Sequence, residues 1–139
     1  NVRMGDPECQ VILPRLKTDL GKLLKASVEN KLNKIKIKWS ESKCMSIVLC
    51  SKGYPNRQIV NKKIDLRQIK LTNKSFIFHA STKIKNGLFF SNGGRVLNIV
   101  VLGNTFLKIR NQIIKIIKII NWKFGFFRKD IGWRVINKR

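Results

Sequence analysis

Apolar side chains recur at helical spacing in the last third of the chain. After Gly103, apolar residues fall on one side of a helical projection, and lysine, asparagine and glutamine fall on the other. Because an α-helix turns once in about 3.6 residues, this pattern predicts an amphipathic helix with one buried stripe. Asn104 or Thr105 can cap its first turn. The residues of the apolar stripe are Phe106, Ile109, Ile113, Ile116, Ile117 and Ile120.

Two shorter helices are predicted near the start of the chain. Asp6 can accept a hydrogen bond from a first-turn N–H group and Pro7 has no N–H to satisfy, so the pair predicts the start of a helix that runs to Leu13. Pro14 ends this helix. A second helix is predicted over residues 19–28, where the apolar residues Leu20, Leu23, Leu24 and Val28 stand at helical spacing.

Alternating and β-branched apolar runs predict a sheet in the middle of the chain. Lysines alternate with Ile35, Ile37 and Trp39, which predicts a strand with one buried face. Residues 44–50 form an apolar run that ends at a loop with glycine and proline, and this predicts a buried strand. Further strands, separated by KNG and NGG turns, are predicted at residues 75–80, 87–90 and 95–102. The expected fold class is α+β: short helices, then a small antiparallel sheet or barrel with one amphipathic helix.

Length, composition and cysteine content point to a soluble cytoplasmic domain. The chain has 139 residues, 43% of them hydrophobic, which suffices for one core and a leading segment. No segment reaches the roughly 18 unbroken apolar residues of a membrane span. Three cysteines without a CxxC pair disfavour both a disulfide scaffold and a zinc site, so we expect reduced thiols. The N-terminus has neither an initiating Met nor a signal-peptide pattern, so we expect the chain to begin within a gene or after processing.

Charge provides a first functional hypothesis. The 30 Lys and Arg residues against 7 Asp and Glu give a formal net charge of +23, which favours attraction to polyanions and a basic nucleic-acid-binding module. The basic residues, however, are dispersed along the whole chain rather than concentrated in one block. Codon usage biased toward A and T would enrich Lys, Ile and Asn together without selection for a ligand. We therefore expect no sequence-specific nucleic-acid partner.

Four positions offer candidate chemistry, each beside a structural interpretation. Asn1 can offer an amide oxygen to Mg²⁺ and Arg3 a planar fork to a phosphate, but the same segment also fits a glycine-permitted turn before a capped helix. His79, the only histidine, is either a strand residue with a backbone partner or a contact to a substrate. The run from Asn92 to Arg95 is either a hairpin turn with glycines at positive φ or a close backbone approach to a phosphate or carboxylate, completed by Arg95. No set of residues forms a catalytic constellation by itself.

Five short motifs, taken in order, resemble the glycinamide ribonucleotide synthetase family, the phosphoribosylamine–glycine ligases. The first is NVRMGDPECQVILPRLKTDL at residues 1–20, which resembles the segment that closes the ATP-grasp domain of these enzymes. The resemblance covers essentially the whole chain. The other four motifs are SKGYP at 51–55, FHAST at 78–82, NGGRVL at 92–97 and FFRKDIG at 126–132.

The resemblance implies an ATP-grasp ligase of purine biosynthesis. Such an enzyme joins 5-phosphoribosylamine to glycine through a glycyl phosphate and releases glycinamide ribonucleotide, ADP and phosphate. It implies ATP and Mg²⁺ or Mn²⁺ as cofactors, a cytoplasmic location, no membrane and a monomeric full-length protein. It also implies that residues 1–31 end the ATP-grasp domain and that residues 32–139 form the C-terminal domain. Alone, the chain is expected to be inactive, because the N-terminal and ATP-grasp portions of the same protein are its implied partners.

The resemblance also implies roles for residues of the first motif. By match to the family's Glu-x-Asn metal motif, Asn1 is a Mg²⁺ ligand and Arg3 a catalytic contact to phosphate or substrate. Asp6 and Glu8 stand in the family's GDPE signature, and we expect them to shape the site for glycine and phosphoribosylamine.

The later motifs supply the other implied site residues. His79, Gly94 and Arg95 are expected to bind substrate, with Arg95 contacting the substrate phosphate. Ser81 stands where the family usually has glycine, which leaves the geometry of the His79 loop open. Two rival hypotheses remain: the free-standing nucleic-acid-binding module and a non-catalytic gene remnant.

Overall fold

The computed structural model describes residues 3–137, which contain four α-helices and seven β-strands. Two short 3₁₀ turns, Leu13–Arg15 and Leu32–Lys34, accompany them. The helices are α1 (Cys9–Ile12), α2 (Leu20–Val28), α3 (Phe106–Ile120) and α4 (Trp133–Ile136). The strands are β1 (Lys43–Ser51), β2 (Lys63–Ile64), β3 (Ser75–His79), β4 (Thr82–Lys85), β5 (Leu88–Ser91), β6 (Arg95–Gly103) and β7 (Gly125–Phe126). The predicted α+β class with antiparallel sheet is confirmed.

The main sheet has four antiparallel strands in the order β3-β6-β1-β7. Ile47 of β1 pairs with Ile99 of β6, and Ile77 of β3 pairs with the other side of Ile99. From Val96 to Val101 every residue of β6 is fully buried, so side chains on both faces of this strand are covered. β6 is therefore the centre of the fold, and the sequence pattern predicted it and β1 correctly.

Helix α3 covers one face of the main sheet. Its isoleucine stripe packs with alternate residues of β1 and β6 to form the hydrophobic core. The Thr105 hydroxyl accepts a hydrogen bond from the Lys108 N–H at 3.3 Å, and Asn121 ends the helix in the left-handed conformation at φ 42°. The predicted amphipathic helix is confirmed.

A second sheet, of order β2-β5-β4, lies beside the first. Strands β4 and β5 form a hairpin through Asn86 and Gly87, whose φ values of 51° and 72° suit a tight two-residue turn. The NGG segment, in contrast, connects β5 of one sheet to β6 of the other, and neither Gly93 nor Gly94 has a positive φ. The hairpin interpretation of NGG is therefore wrong.

The N-terminal segment contains both predicted helices, but the first helix begins later than predicted. Helix α1 begins only at Cys9, and its first turn has no side-chain cap, so the capping role predicted for Asp6 is wrong. The Asp6 carboxylate instead contacts the side chains of Arg95 and Gln10, as described below. Helix α2 is capped by Asp19, whose side chain accepts a hydrogen bond from the Lys22 N–H at 2.7 Å.

The strand predicted at residues 34–39 is absent from the structure of residues 3–137. This segment makes only one isolated bridge, between Leu16 and Trp39, next to a Lys17 N–H donation to the Lys38 carbonyl at 2.9 Å. Ile37 and Trp39 are 42% and 47% exposed and only Ile35 is half-buried, so most of the face that the alternation predicted to be buried is uncovered. Alternation alone does not make a strand without a neighbour to pair with. Among the described residues, no helix is long and apolar enough to cross a bilayer.

Candidate functional site

The structure brings the first and fourth motifs into direct contact. Arg95 forms an ion pair with Asp6, with 3.1 Å between Nη2 and Oδ2, and its Nη1 donates to the Asp6 carbonyl at 2.8 Å. Gln10 Nε2 donates to Asp6 Oδ1 at 3.2 Å. The Asp6 and Arg95 side chains are 38% and 42% exposed, so a ligand can reach the pair. Two residues 89 positions apart thus form one charged site on the surface.

Buried Ser51 fixes the loop that leads into Arg95. Its N–H donates to the Gly94 carbonyl and its hydroxyl to the Gly93 carbonyl, both at 2.8 Å, and Ser51 is fully buried. The two glycines are required by close packing, because a Cβ at Gly93 would overlap the Ser81 side chain and one at Gly94 would overlap the Tyr54 ring. The backbone of these glycines thus packs against protein side chains, and the predicted close approach to a phosphate or carboxylate stays a prediction.

His79 lies at the end of β3, near the same loop. Its Nδ1 lies 2.9 Å from the Thr82 hydroxyl, and its ring centroid is 4.6 Å from that of Phe89. Partial burial lowers the pKa of the imidazole below its ordinary value of 6.5. The next residues continue toward the charged pair, since the Ser81 N–H donates to the Arg95 carbonyl at 3.0 Å. His79 thus has a side-chain partner, Thr82, whereas the interpretation of His79 as a strand residue expected a backbone partner.

The remaining predicted site residues lie at the start of the chain. Glu8 closes the turn before α1, because its Oε2 accepts a hydrogen bond from the Gly5 N–H at 2.9 Å. Arg3 is exposed. Asn1, the predicted metal ligand, lies outside the described residues. Within residues 3–137 there is no group of three or more His, Cys, Asp or Glu side chains that could hold a metal ion.

Two grooves flank α1 on the face of the main sheet opposite α3. The first, of about 460 Å³, has an apolar lining with His79 at one end, formed by Cys9, Gln10, Leu13, Pro14, Phe76, Phe78 and His79. The second, of about 360 Å³, brings together residues of the first, second and fifth motifs: Pro7, Tyr54, Pro55, Phe126, Arg128 and Ile131, over a floor of Ser46, Val48 and Cys50. The motifs that are separate in the sequence therefore surround one region of the fold.

Sequence reasoning missed the parts played by Ser51, Tyr54 and Arg128. Ser51 and Tyr54 belong to SKGYP and Arg128 to FFRKDIG, two motifs to which no site residue was assigned. Arg128 pairs with Asp130 at 2.6 Å, and this contact raises the pKa of the guanidinium and lowers that of the carboxyl. In the sequence, only their membership of a family motif could have indicated these residues. The burial of Ser51 and the contact of Tyr54 with Gly94 are visible only in the structure.

The cysteines are single thiols with no disulfide partner among the described residues. Burial raises the pKa of the Cys44 thiol to about 11, a shift that neighbouring Arg15 reduces, and burial also raises the pKa of Cys50. A thiol that holds its proton is a poor nucleophile and a poor metal ligand. Both residues therefore act as small packing groups, as expected from the sequence.

Comparison with known proteins agrees with the motif resemblance. Residues 44–134 match the family described as "Phosphoribosylglycinamide synthetase, C domain". The chain is 36% identical to the phosphoribosylamine–glycine ligase of Brucella melitensis, over 99% of this chain and 33% of that protein. It is also 36% identical to the chloroplastic phosphoribosylamine–glycine ligase of Arabidopsis thaliana, over 100% of this chain and 27% of that protein.

A solved structure shares the fold. The phosphoribosylamine–glycine ligase of Thermotoga maritima superposes with a TM-score of 0.71 at 26% identity, over 94% of this chain and 32% of that one. The chain thus spans about a third of the length of the relatives that it matches. The matched family span lies within the predicted second unit, while the boundary between residues 31 and 32 stays a prediction. With the family match, the sequence identities and the shared fold together, the chain belongs to the phosphoribosylglycinamide synthetase family.

Proposed function

We propose that this chain acts as the C-terminal part of an ATP-dependent ligase that joins 5-phosphoribosylamine to glycine. The products are glycinamide ribonucleotide, ADP and phosphate. The names of the relatives support this assignment, and the observation that carries it to particular residues is the contact between Asp6 and Arg95. This contact joins the GDPE and NGGR motifs at a surface that a small anionic substrate can reach.

In the proposed reaction, ATP converts the glycine carboxylate into glycyl phosphate. A carboxylate is a poor electrophile until one of its oxygens becomes a good leaving group, which phosphorylation supplies. The amine of phosphoribosylamine then attacks the acyl carbon, and phosphate leaves. Positive side chains stabilise the negative charge on the phosphates during both steps. Arg3, in the first motif, is the proposed contact to the acyl phosphate or its transferring phosphoryl group.

Arg95 is the proposed contact to the phosphate of phosphoribosylamine. A guanidinium has five N–H donors, and the contacts to Asp6 leave donors for a second oxyanion. Asp6, which Gln10 holds by a hydrogen bond, fixes the direction of this guanidinium. The backbone of Gly94, held by Ser51, fixes the position of the strand from which Arg95 extends.

His79 and Glu8 have supporting roles in the proposal. His79 borders the groove beside α1, where its imidazole can hydrogen-bond a polar group of the substrate. Partial burial lowers the pKa of His79 and so favours the neutral ring, which can donate from one nitrogen and accept at the other. Glu8 stabilises the turn of residues 5–8, which contains Asp6.

Metal and nucleotide binding are assigned mainly to the rest of the protein. Asn1 is the proposed Mg²⁺ or Mn²⁺ ligand of this chain, and its amide oxygen suits a hard cation. When bound, the metal would neutralise charge on the ATP phosphates. We propose that residues 1–31 complete the ATP-grasp domain and that residues 32–139 form the C-terminal domain. Activity then requires the other two thirds found in the relatives, in a cytoplasmic, monomeric protein.

A chimaeric enzyme tests this proposal. The C-terminal third of the Brucella melitensis ligase is replaced by this chain, and ADP formation is measured with and without glycine and phosphoribosylamine. ADP formation that depends on both substrates is expected. Arg95→Ala should lower kcat/KM for phosphoribosylamine by roughly 10- to 100-fold, the effect of losing a charged hydrogen bond.

Arg67→Ala serves as the matched control. Arg67 is an exposed arginine that is paired with an aspartate, Asp65, but lies in neither groove beside α1. Its loss should leave kcat/KM within about twofold of the parent chimaera. Full activity of Arg95→Ala would contradict the assignment of Arg95. A folded chimaera without activity would contradict the proposed function as a whole.

A further inference from the structure

Positive charge dominates one long section of the chain. No acidic residue lies between Asp65 and Asp130, whereas thirteen Lys and Arg residues do. At the ends of this section Asp65 pairs with Arg67 and Asp130 with Arg128, so both carboxylates are already engaged. The surface formed by this section therefore carries many cations that no carboxylate of the described residues neutralises.

Helix α3 arranges three of these cations in a single stripe. Lys108, Lys115 and Lys118 lie on the side of the helix opposite the buried isoleucines, and all three are exposed. At about 100° and 1.5 Å per residue they fall within one quarter of the helix surface and extend over ~15 Å. None of them forms an ion pair among the described residues, and α3 itself contains no acidic residue.

Two more lysines lie near the start of the helix. Lys43 pairs in register with Gly103, and its Nζ lies 5.3 Å from the centre of the Phe106 ring. Lys74 lies next to the same strand end, because its carbonyl accepts a hydrogen bond from the Leu102 N–H at 2.8 Å. Both lysines are exposed. The partial positive charge of the helix N-terminus adds to theirs. The α3 basic face comprises Lys108, Lys115 and Lys118, and Lys43 and Lys74 are exposed near its N-terminal end.

We propose that the α3 basic face binds the phosphate backbone of nucleic acid without reading its base sequence. A row of exposed lysines is suited to a ligand with closely repeated negative charges, because each lysine is a flexible point charge that contacts one phosphate and releases its counterions. A small anion is a poor match, since exposed lysines are flexible and do not enclose a ligand with fixed donors. The face lies across the sheet from Asp6 and Arg95, so this binding is independent of the proposed ligase site.

The test is binding of the chain to a fluorescent 20-base-pair DNA duplex of arbitrary sequence, measured by anisotropy over a series of salt concentrations. A steep fall of the association constant with salt is expected, with little dependence on base sequence. Lys108→Gln/Lys115→Gln/Lys118→Gln should make the slope of log K against log salt shallower by up to about 3 and weaken binding by roughly tenfold or more at low salt. Circular dichroism verifies that the variant is folded.

A second triple variant separates a local site from the effect of net charge. Lys34→Gln/Lys36→Gln/Lys38→Gln removes the same number of charges from exposed positions outside α3, and it should weaken binding much less. Equal weakening by both triple variants would overturn the α3 assignment. So would the absence of binding at low salt, or binding to phosphatidylserine vesicles that the duplex does not compete away.

Discussion

The ring of Tyr54 packs so closely on the backbone of Gly94 that this glycine has no room for a Cβ atom. Tyr54 belongs to the SKGYP loop that follows β1, and Gly94 immediately precedes Arg95 at the start of β6. The contact therefore couples one family motif to the guanidinium of another. The contact explains why position 94 is a glycine, although its φ is not positive and so does not itself require glycine.

Gly94→Ala should lower the free energy of unfolding by about 1–3 kcal/mol, because the added methyl group overpacks the contact with Tyr54. Urea denaturation followed by circular dichroism measures this change. In a Tyr54→Ala background the ring is gone, so the cost of the same substitution should largely disappear. An equal cost in both backgrounds would show that the ring is not the cause.

The stability of the fold should fall as the pH is lowered from about 6.5 toward the depressed pKa of His79. The reason is that partial burial lowers the folded pKa below 6.5, so the unfolded chain binds the proton first in this range. His79 is the only histidine of the chain, which isolates its contribution. Urea midpoints at pH 7.5 and pH 5.5 measure the effect. His79→Gln should reduce the difference between them, and an unchanged difference would rule His79 out as its source.

Asn98→Leu should leave stability unchanged or raise it by about 1 kcal/mol. Asn98 is fully buried on β6, and neither polar atom of its side chain has a hydrogen-bond partner within residues 3–137. Replacing an unsatisfied amide by an apolar group of similar shape removes a cost. Asn98→Asp, of the same size but charged, should cost more than about 3 kcal/mol. Loss of stability in Asn98→Leu, measured by thermal and urea unfolding, would mean that Asn98 is hydrogen-bonded in solution.

The sequence pattern correctly predicted those strands and helices that pack against another predicted strand or helix. The apolar runs at residues 44–50 and 95–102 became the two central strands, and the isoleucine stripe became α3, because each had an apolar surface to cover it. The alternation at residues 34–39 predicted a buried face equally clearly. Within residues 3–137 only Leu16 bridges to this segment and no sheet pairs with it, so most of its apolar face stays exposed.

The candidate site was less predictable than the fold because its geometry depends on distant residues. Asp6 has the local features of a helix cap, and no spacing rule indicates that its carboxylate contacts Arg95 instead. Likewise, the role of Ser51 depends on its complete burial beside Gly93 and Gly94. The order of motifs identified which segments belong to one site, whereas the contacts among them came from the fold.

The central position of β6 has a consequence for the order in which the chain can fold during synthesis. Strand β1 is made first, but it lies between β6 and β7, both of which follow it by more than 40 residues. Until β6 leaves the ribosome, the apolar strand β1 has two unpaired edges, a state prone to wrong pairing with other chains. The lysines distributed over the nascent chain then oppose such association by mutual repulsion. A high positive charge can thereby protect this fold at the stage when it is most vulnerable.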